Sequence, residues 1–491
     1  MTPSQGVVAA GHPLTAAAGV EVLREGGNAV DAAIAACLAS WACEPLLTGP
    51  GAGGYMLVAG AGEEPVLLDF FVSAPTHGTR CELLPVNVSF GDAFQVFNVG
   101  AASCGVYGNP AGLDAAAKRW GTLPLKRLAE PAATLAREGV QLQEAGAYIF
   151  EILEPILVST PEARALFAPE GHGLRPGDTF RSPELAATIE RFGAEGARPF
   201  YEGDIAAAVA SYVTENGGTL TSADLAAYAP IARRPAEASY RGREVLTNPP
   251  PSAGGVLLAL ALGQLDRLAS GGMPLPDQIA TVMRAAEEER NHEFDAGLPT
   301  PGFLESFLAN RLGSTTHISV VDGDGRACSL TCTNGEGSGL VVPGLGIHVN
   351  NVMGEEDLNP LGFFRLPAGA RMPSMMAPTV VVGTDGVELV VGSAGSNRIR
   401  SAILQTIVGV VDGGLDASAA ILAPRLHVEN GVVYAEPGID LDALRAGPDR
   451  VAPFRDFNLF FGGVQAVTRD PNTGALSGGG DPRRGGVAMA A

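Results

Sequence analysis

The sequence predicts an α+β fold in which helices flank two β-sheets. Alanine-rich amphipathic stretches predict helices through the first two thirds of the chain, and strand-forming runs become frequent after Thr315. With 491 residues, of which 46% are hydrophobic, the chain is long enough to bury a large core. Helical layers with strand runs between them favour a layered sandwich.

The first predicted helix covers residues 15–39, where apolar residues recur at helical spacing on both sides of Gly26-Gly27. A second helical region, 110–139, is broken at 121–124. A strand is predicted at Tyr55-Met56-Leu57-Val58. Further helices are predicted at 182–192, 206–215, 256–268, 397–411 and 417–423, and further strands at 386–392, 431–435 and 464–469.

The run from Thr315 to Thr333 predicts a β-hairpin, because two strand-forming stretches flank the turn sequence DGDG. A turn centred on the two middle residues of DGDG places Thr315 opposite Cys332, beside Thr333. A one-residue bulge instead brings Thr333 directly opposite. Either register puts a second hydroxyl within reach of the first, at the edge of a sheet.

Charge and hydropathy exclude several classes of partner. Lys and Arg number 32 against 53 Asp and Glu, so the net charge is −21. So acidic a chain is not expected to bind nucleic acid or an anionic membrane surface. No apolar run reaches membrane-spanning length, and the start MTPSQGVVAAGHPL lacks a signal-peptide pattern. We therefore expect a cytoplasmic protein, or a periplasmic or secreted one if the start was trimmed.

Neither a metal nor a nucleotide cofactor is expected. The six cysteines form no CxxC pair and only seven histidines are present, so a structural zinc site is not expected and the thiols are expected to be free. The run GPGAGG matches the dinucleotide-binding pattern by letter. Helical sequence precedes this run and a strand follows it, the reverse of a nucleotide-binding turn.

Thr315 itself has two interpretations. Two threonines at the start of a strand can simply satisfy β-propensity. Alternatively, a threonine hydroxyl becomes a nucleophile when a base adjoins it, and its own free α-amine is one such base. An internal threonine has no free amine, so this second interpretation requires cleavage of the Ser314–Thr315 bond.

The stretch TTHISVVDGDGRACSLTCT resembles the processing site of the γ-glutamyltranspeptidases, which are N-terminal nucleophile hydrolases. Other runs resemble the family in the same order: GHPLTAAAGVEVLREGGNAVDAAIAA, LTGPGAGGYMLV, YRGREVLTNPPPSAGG, MAPT, GSAGSNRIRSAILQ and DPRRGG. The resemblance implies a four-layer αββα sandwich. It also implies that the segments 1–314 and 315–491 are separated by autocleavage between Ser314 and Thr315 and share one core.

The resemblance assigns the catalytic groups. Thr315 would be the nucleophile, and Thr333 would hydrogen-bond its hydroxyl. The N–H groups of Gly395 and Ser396 would form an oxyanion hole, although a serine in the second place restricts the backbone angles more than the family glycine. Read from the residues alone, the same run is also explained by a strand-to-helix turn capped by Ser396 or Asn397.

The substrate pocket matches the family less well. Phe71 occupies the position of the family arginine that binds the substrate α-carboxylate, and losing such a contact costs roughly 1.5–3 kcal/mol. Ser374, Glu355 and Asn334 fall at positions where the family binds the rest of the glutamyl group. We therefore expect weak binding of γ-glutamyl anilides, and about a tenfold improvement at most from Phe71→Arg.

The sequence thus predicts a self-processing threonine amidohydrolase or acyltransferase resembling γ-glutamyltranspeptidase and glutathione hydrolase. It would act on a γ-glutamyl or other small-molecule amide, with water or an amine as acceptor and no cofactor. The processed chains would form a heterodimer or a higher oligomer. One alternative is a cephalosporin-acylase-like amidase with a non-glutamyl acyl substrate. The other is an unprocessed, inactive homologue.

Overall fold

The structure, a computed structural model, describes residues 6–76, 82–89, 94–268, 272–289, 315–359, 361–445, 447 and 449–491. Ser314, Cys81 and the segment 297–312, for which a loop and a short helix were expected, lie outside the described residues. The described cysteines, Cys37, Cys43, Cys104, Cys328 and Cys332, are free thiols.

Helices occur in both the N-terminal and the C-terminal parts of the described chain. In chain order they are α1 (Pro13–Arg24), α2 (Ala29–Cys43), α3 (Asn109–Trp120), α4 (Leu125–Glu138), α5 (Glu144–Leu157), α6 (Pro161–Phe167), α7 (Pro183–Glu195), α8 (Arg198–Glu202), α9 (Asp204–Glu215), α10 (Ser222–Ala226), α11 (Ala253–Leu268), α12 (Pro276–Glu288), α13 (Arg398–Val411), α14 (Ala417–Leu422) and α15 (Leu441–Arg445).

The strands are distributed along the whole described chain. They are β1 (Gly6–Ala10), β2 (Gly53–Gly60), β3 (Glu63–Phe70), β4 (Leu84–Ser89), β5 (Phe94–Val99), β6 (Val140–Gln141), β7 (Thr179–Phe180), β8 (Ile231–Arg233), β9 (Ala236–Tyr240), β10 (Arg243–Thr247), β11 (Thr316–Asp322), β12 (Ala327–Thr333), β13 (Val341–Val342), β14 (Ile347–His348), β15 (Thr379–Gly383), β16 (Gly386–Ala394), β17 (Leu426–Glu429), β18 (Val432–Ala435), β19 (Arg450–Pro453), β20 (Gly463–Arg469), β21 (Leu476–Gly480) and β22 (Val487–Ala490).

The long helix predicted at 15–39 is two helices, because a capping box starts a new one. The side chain of Asn28 accepts from the N–H groups of Val30 and Asp31, and the carboxylate of Asp31 accepts from the N–H of Asn28. This reciprocal pair satisfies the first donors of α2. The break therefore falls where Gly26-Gly27 predicted it.

Two large antiparallel sheets form the centre of the described molecule. The first has the strand order β22-β1-β11-β12-β2-β3-β8, and the second has the order β21-β20-β16-β15-β10-β9. In the first sheet β1 pairs with β11 and β12 pairs with β2; in the second β10 pairs with β15. Strands from before and after residue 314 are thus neighbours in both sheets.

Three hydrophobic clusters separate four layers. One lies between α1 to α9 and the first sheet and contains Ile34, Trp41 and Ile318. A second lies between the two sheets, and a third lies between the second sheet and the helices α11, α12 and α13. The predicted α+β sandwich with αββα layers is confirmed. None of the helices in the described part of the chain is long and apolar enough to cross a membrane.

Candidate active site

The register of the β11–β12 hairpin decides where Thr315 lies. Thr316 is opposite Cys332, so continuing the register by one residue brings Thr315 opposite Thr333. Of the two registers the sequence allowed, the one with the bulge is correct, and the one that pairs Thr315 with Cys332 is wrong.

Hydrogen bonding by Asp322 explains the register. Its Oδ1 accepts from the N–H of Asp324 at 3.1 Å and from that of Arg326 at 3.0 Å. Gly325 has a φ of +79°, the left-handed conformation that closes a three-residue hairpin loop. The loop is therefore one residue longer than the two-residue turn, and the pairing shifts by one.

Strand alternation turns Thr315 and Thr316 to opposite faces of the first sheet. Thr316 faces the helices, where its Oγ1 donates to Glu44 Oε1 at 2.9 Å. On the other face, Ser319 Oγ donates to the Gln465 carbonyl of the second sheet at 3.0 Å. Thr315 and Thr333 share the parity of Ser319, so they lie on the side that faces the second sheet. Both are buried.

Thr333 is held by the turn that follows it. Its Oγ1 accepts from the N–H of Gly335 at 2.9 Å. This bond engages the hydroxyl as an acceptor and fixes its orientation at the end of β12. The placement agrees with the predicted role beside the nucleophile, which stays a prediction.

The run Gly392–Asn397 forms the expected strand-to-helix turn at the end of β16. Gly395 has a φ of +112° and Ser396 one of +70°. A left-handed serine is strained, and such strain tends to persist at functional sites. Within the described chain, neither the N–H of Gly395 nor that of Ser396 donates to another residue. Two backbone donors are therefore available for an oxyanion.

Side-chain capping does not account for this turn. Asn397, which precedes α13, makes no capping hydrogen bond with its side chain, and the hydroxyl of Ser396 has no partner among the described residues. The Asn397 Nδ2 instead donates to Glu429 Oε1, which ties the turn to β17. The N-terminus of α13 adds the favourable end of a helix dipole to the same place.

The predicted catalytic residues lie at one shared end of the two sheets. Thr315 precedes β11 and Thr333 ends β12, while Gly395 follows β16 in the second sheet. The two sheets meet closely just before this end, since a Cβ built on Gly392 would lie 2.2 Å from the His317 ring. The nucleophile candidate and the oxyanion candidate are thus presented from facing sheets.

The residues predicted to bind substrate come from separate segments of the chain. Asn334 directly follows Thr333, and Glu355 approaches the next residue so closely that a Cβ on Gly335 would lie 2.3 Å from its Oε1. Ser374 precedes β15, and its Oγ accepts from the N–H of Met376 at 3.0 Å. Their substrate-binding roles stay predictions.

Phe71 lies in the core between the two sheets. Its side chain is fully buried, and its ring stacks on Tyr55 with the ring centroids 5.5 Å apart. The neighbouring carboxylate of Asp69 is engaged by Arg233 at 2.7 Å and by Arg371 at 3.3 Å. At the position where the resemblance implies an arginine for the substrate carboxylate, the chain thus has a buried aromatic side chain.

A cavity of about 100 Å³ opens beside Thr315 and Thr316. Its wall is largely apolar and is formed by Leu46, Leu142, Ile149, Phe150 and Leu459 among others. Glu44, Arg483 and Arg484 provide charged groups in this wall. None of the four residues predicted to bind substrate lines the cavity.

Glu44 is a site residue that the sequence prediction missed. Its Oε1 accepts from Thr316, and its Oε2 accepts from the Thr15 hydroxyl at 3.4 Å. Burial raises the pKa of the Glu44 carboxyl to about 7, although both threonine hydrogen bonds oppose this shift. A signal was present, because Glu44 is the single charged residue between Asp31 and Glu63.

A family model for γ-glutamyltranspeptidase matches residues 15–297 and 288–491 of the chain. The chain belongs to the γ-glutamyltranspeptidase family. The glutathione hydrolase proenzyme of Escherichia coli (strain K12) is 31% identical over 98% of this chain and 90% of its own length. The acylase ACY 1 proenzyme of Pseudomonas sp. (strain V22) is 30% identical over 97% of this chain and 92% of its own length.

Solved structures of this family have the same fold. A cephalosporin acylase from Bacillus halodurans has a TM-score of 0.82 at 27% identity, covering 99% of this chain and 96% of the other. A γ-glutamyltranspeptidase from Helicobacter pylori has a TM-score of 0.51 at 31% identity, covering 56% of this chain and 79% of the other. The protein is therefore an enzyme of the N-terminal nucleophile hydrolase class, and its family includes both hydrolases and acylases.

Proposed function

We propose that cleavage of the Ser314–Thr315 bond makes Thr315 the N-terminal nucleophile, which then cleaves small-molecule amides through an acyl ester. One observation carries this proposal: Thr315 and Thr333 lie opposite each other at the sheet end where the Gly395–Ser396 turn lies. The proenzyme names of the glutathione hydrolase and acylase relatives support the cleavage step.

Maturation would proceed by an acyl shift. The Thr315 Oγ1 attacks the Ser314 carbonyl carbon, an ester forms, and the C–N bond breaks to leave a free α-amine on Thr315. Water then hydrolyses the ester and leaves a carboxylate on Ser314. The new amine is the base that an N-terminal threonine needs.

Turnover would use the same groups. The α-amine takes the Thr315 hydroxyl proton as Oγ1 attacks the substrate amide, and the N–H groups of Gly395 and Ser396 donate to the oxyanion. The amine then passes the proton to the leaving nitrogen. Water resolves the acyl ester to an acid, or a second amine resolves it to a new amide.

A second candidate concerns the acyl group. With Phe71 buried in the core, the position of the family arginine holds no charge. This favours a cephalosporin-acylase-like amidase whose acyl group is not recognised as a γ-glutamate. The structural likeness to a cephalosporin acylase, at a TM-score of 0.82, is compatible with this candidate.

The test combines a cleavage assay with a substrate panel. Purified protein should separate into residues 1–314 and a chain beginning with Thr315, while Thr315→Ala stays intact and inactive. Thr316→Ala is the matched control and should still be cleaved. Chromogenic γ-glutamyl, glutaryl and simple acyl anilides then report the acyl preference.

Full-length chain only, after incubation at several pH values, would contradict the mechanism and support the inactive homologue. Cleavage with a strong preference for the γ-glutamyl anilide would remove the support for the acylase candidate. Because strands of both segments are neighbours in both sheets, we propose that the two pieces remain associated as a heterodimer. Size-exclusion chromatography of the cleaved protein tests this.

A further inference from the structure

Arg484 places a positive charge in the wall of the cavity that contains Thr315. It lies in the short helical turn Pro482–Arg484 that joins β21 to β22. A Cβ built on Gly395 would lie 3.1 Å from Arg484 Nη2, so the guanidinium reaches the oxyanion turn. The cavity is continuous from Thr315 to Arg484.

Two neighbouring arginines are paired with carboxylates, and Arg484 is not. Arg425 pairs with Asp481 at 2.7 Å, and Arg483 pairs with Asp481 at 3.2 Å and with Glu436 at 2.5 Å. Asp481 and Glu436 are thus both engaged by these two arginines. Among the described residues no carboxylate lies within ion-pair distance of Arg484.

The hydrogen-bond donors of Arg484 are also mostly unused. Its Nη2 reaches the Leu459 carbonyl at 3.4 Å, and its buried Nε has no partner in the described part of the chain. Burial and the nearby Arg398 lower the Arg484 pKa to about 10, although the charge of Asp481 opposes this shift, and the guanidinium stays charged at neutral pH. Arg484 is half-buried, and an unpaired charge with unused donors is costly where water reaches it only in part. Its position in a cavity wall therefore points to an anionic ligand.

The planar guanidinium fork suits a carboxylate, which it can bind through two parallel hydrogen bonds. We propose that Arg484 binds a carboxylate of the substrate, carried either by the acyl group or by the leaving amine. This proposal rests on the proposed amide cleavage by Thr315. It assigns the binding of the substrate carboxylate to Arg484 and not to residue 71.

Two pairs of anilides separate the sources of the carboxylate. Glutaryl and valeryl p-nitroanilide differ by a carboxylate on the acyl group. Valeryl 3-carboxy-4-nitroanilide and valeryl p-nitroanilide differ by a carboxylate on the leaving amine. The variants are Arg484→Gln, the charge-retaining Arg484→Lys, and Arg234→Gln as a control that removes a charge from an arginine whose side chain is 83% exposed.

In Arg484→Gln we expect kcat/KM to fall about 10- to 100-fold for the carboxylated member of one pair. The uncharged member should stay within about threefold, Arg484→Lys should be intermediate, and Arg234→Gln should match the unmodified protein. An equal fall for all substrates, or no fall for any, would overturn the proposal.

A binding measurement keeps this test separate from the proposed function. Calorimetry with free glutarate, and with glutaramide as the uncharged control, needs no turnover. Glutarate should bind about tenfold more weakly to Arg484→Gln than to the unmodified protein. Equal binding, or no binding to the unmodified protein, would contradict the role of Arg484 whether or not any anilide is cleaved. Absence of cleavage alone would contradict the proposed function.

Discussion

The two faces of the β11–β12 hairpin are both buried, yet they differ in chemistry. Toward the helices the hairpin presents Ile318, Val320 and Leu330, which pack in the helix-side core. Toward the second sheet it presents the polar residues His317, Ser319, Ser329 and Thr331, and then Val321 and Ala327 next to the turn. Thr315 and Thr333 continue the second, polar face. The apolar face stabilises the fold in proportion to the apolar area that it buries. The polar face needs a hydrogen-bond partner for each buried polar group.

The polar side chains of His317, Ser319, Ser329 and Thr331 each have a hydrogen-bond partner. His317 Nδ1 lies 2.8 Å from Thr331 Oγ1, and its Nε2 lies 2.9 Å from Ser319 Oγ. Because Ser319 donates its proton to the Gln465 carbonyl, it must accept from Nε2–H, so Nδ1 accepts from Thr331. Ser329 donates to the Val391 carbonyl at 3.2 Å.

These bonds fix one sheet against the other. Because they join the hairpin to β16 and β20, they also set where the Gly395 turn lies relative to Thr315. Hydrogen bonds are directional and hydrophobic contacts are not. The hydrogen bonds between the sheets therefore fix the relative position of the two sheets more closely than hydrophobic contacts would. The difference between the faces therefore teaches that polar alternation in a buried strand can indicate the position of a site.

The largest effect is expected from placing a charge in the apolar part of the space between the sheets. In Phe71→Arg the guanidinium would lie in the core without a free carboxylate, since Asp69 is already paired with Arg233 and Arg371. We expect the free energy of unfolding to fall by about 3 kcal/mol or more. Urea unfolding measures this, with Phe71→Leu as the control of similar polarity.

This expectation replaces the tenfold gain that the sequence alone suggested. A stable Phe71→Arg protein with improved γ-glutamyl hydrolysis would show that the space between the sheets opens to substrate at this position. It would also show that an arginine at position 71 can bind the substrate α-carboxylate, as the family resemblance implies.

A smaller effect separates the two faces directly. Thr333→Val and Thr316→Val make the same change on opposite faces of the hairpin. If the Thr333 hydroxyl supports the nucleophile, Thr333→Val should slow cleavage and turnover about 10- to 100-fold. Thr316→Val should keep turnover within about threefold but lose about 1–3 kcal/mol of stability, because Glu44 loses a donor.

The measurements are kcat and the midpoint of thermal unfolding for both variants. Equal activities would show that Thr333 contributes to the strand and not to catalysis. A larger loss of activity in Thr316→Val than in Thr333→Val would place the catalytic support on the helix side.

Sequence reasoning found the hairpin and its two threonines because β-propensity and the DGDG turn are local signals. It left the register open, since the hydrogen bonds of Asp322 and the left-handed Gly325 decide it and both depend on the folded loop. Helix α12 was not predicted although it is amphipathic. The family resemblance supplied the Gly395–Ser396 turn, but the left-handed φ of Ser396 could only be suspected.

The interactions of the charged cavity residues could not be predicted from the sequence for a different reason. Glu44 and Arg484 are far apart in the chain, and neither has a local pattern that indicates its partner. The sequence shows DPRRGG, but which of the two arginines is paired depends on Asp481, Glu436 and the fold around them. The sequence likewise did not indicate that Phe71 is buried, because an aromatic residue near a strand end can face either the core or the substrate pocket.

The polar face also predicts a pH dependence of stability. Burial lowers the pKa of His317 to about 3, from an ordinary value near 6.5. Below pH 6.5 the unfolded chain therefore binds a proton that the folded protein does not. The stability from this group is present above pH 6.5 and is lost as pH falls toward 3, by at most about 1.4 kcal/mol per pH unit.

NMR titration of the histidine ring protons checks this, because His317 should stay neutral at pH 5 in the folded protein. His12 and His348, whose pKa values burial lowers to about 4, should behave similarly. A His317 ring that titrates near pH 6.5 would mean that water reaches the seam between the sheets.

The smallest expected effect concerns Glu44, on the helix side of the hairpin. Its carboxyl has a pKa raised by burial to about 7, and it shares the cavity with Arg484. Below pH 7 the carboxyl is neutral, and above pH 7 its charge opposes a second carboxylate in the same cavity. If the carboxylate that Arg484 binds is on the acyl group, the kcat/KM ratio of glutaryl to valeryl anilide should therefore fall about three- to tenfold as pH rises from 6 to 8. Taking the ratio removes the titration of the Thr315 α-amine, which affects both substrates equally.

Glu44→Gln keeps the hydrogen bond from Thr316 but cannot ionise, so its ratio of glutaryl to valeryl kcat/KM should not change with pH. An equally steep fall in this variant would exclude Glu44 as the titrating group.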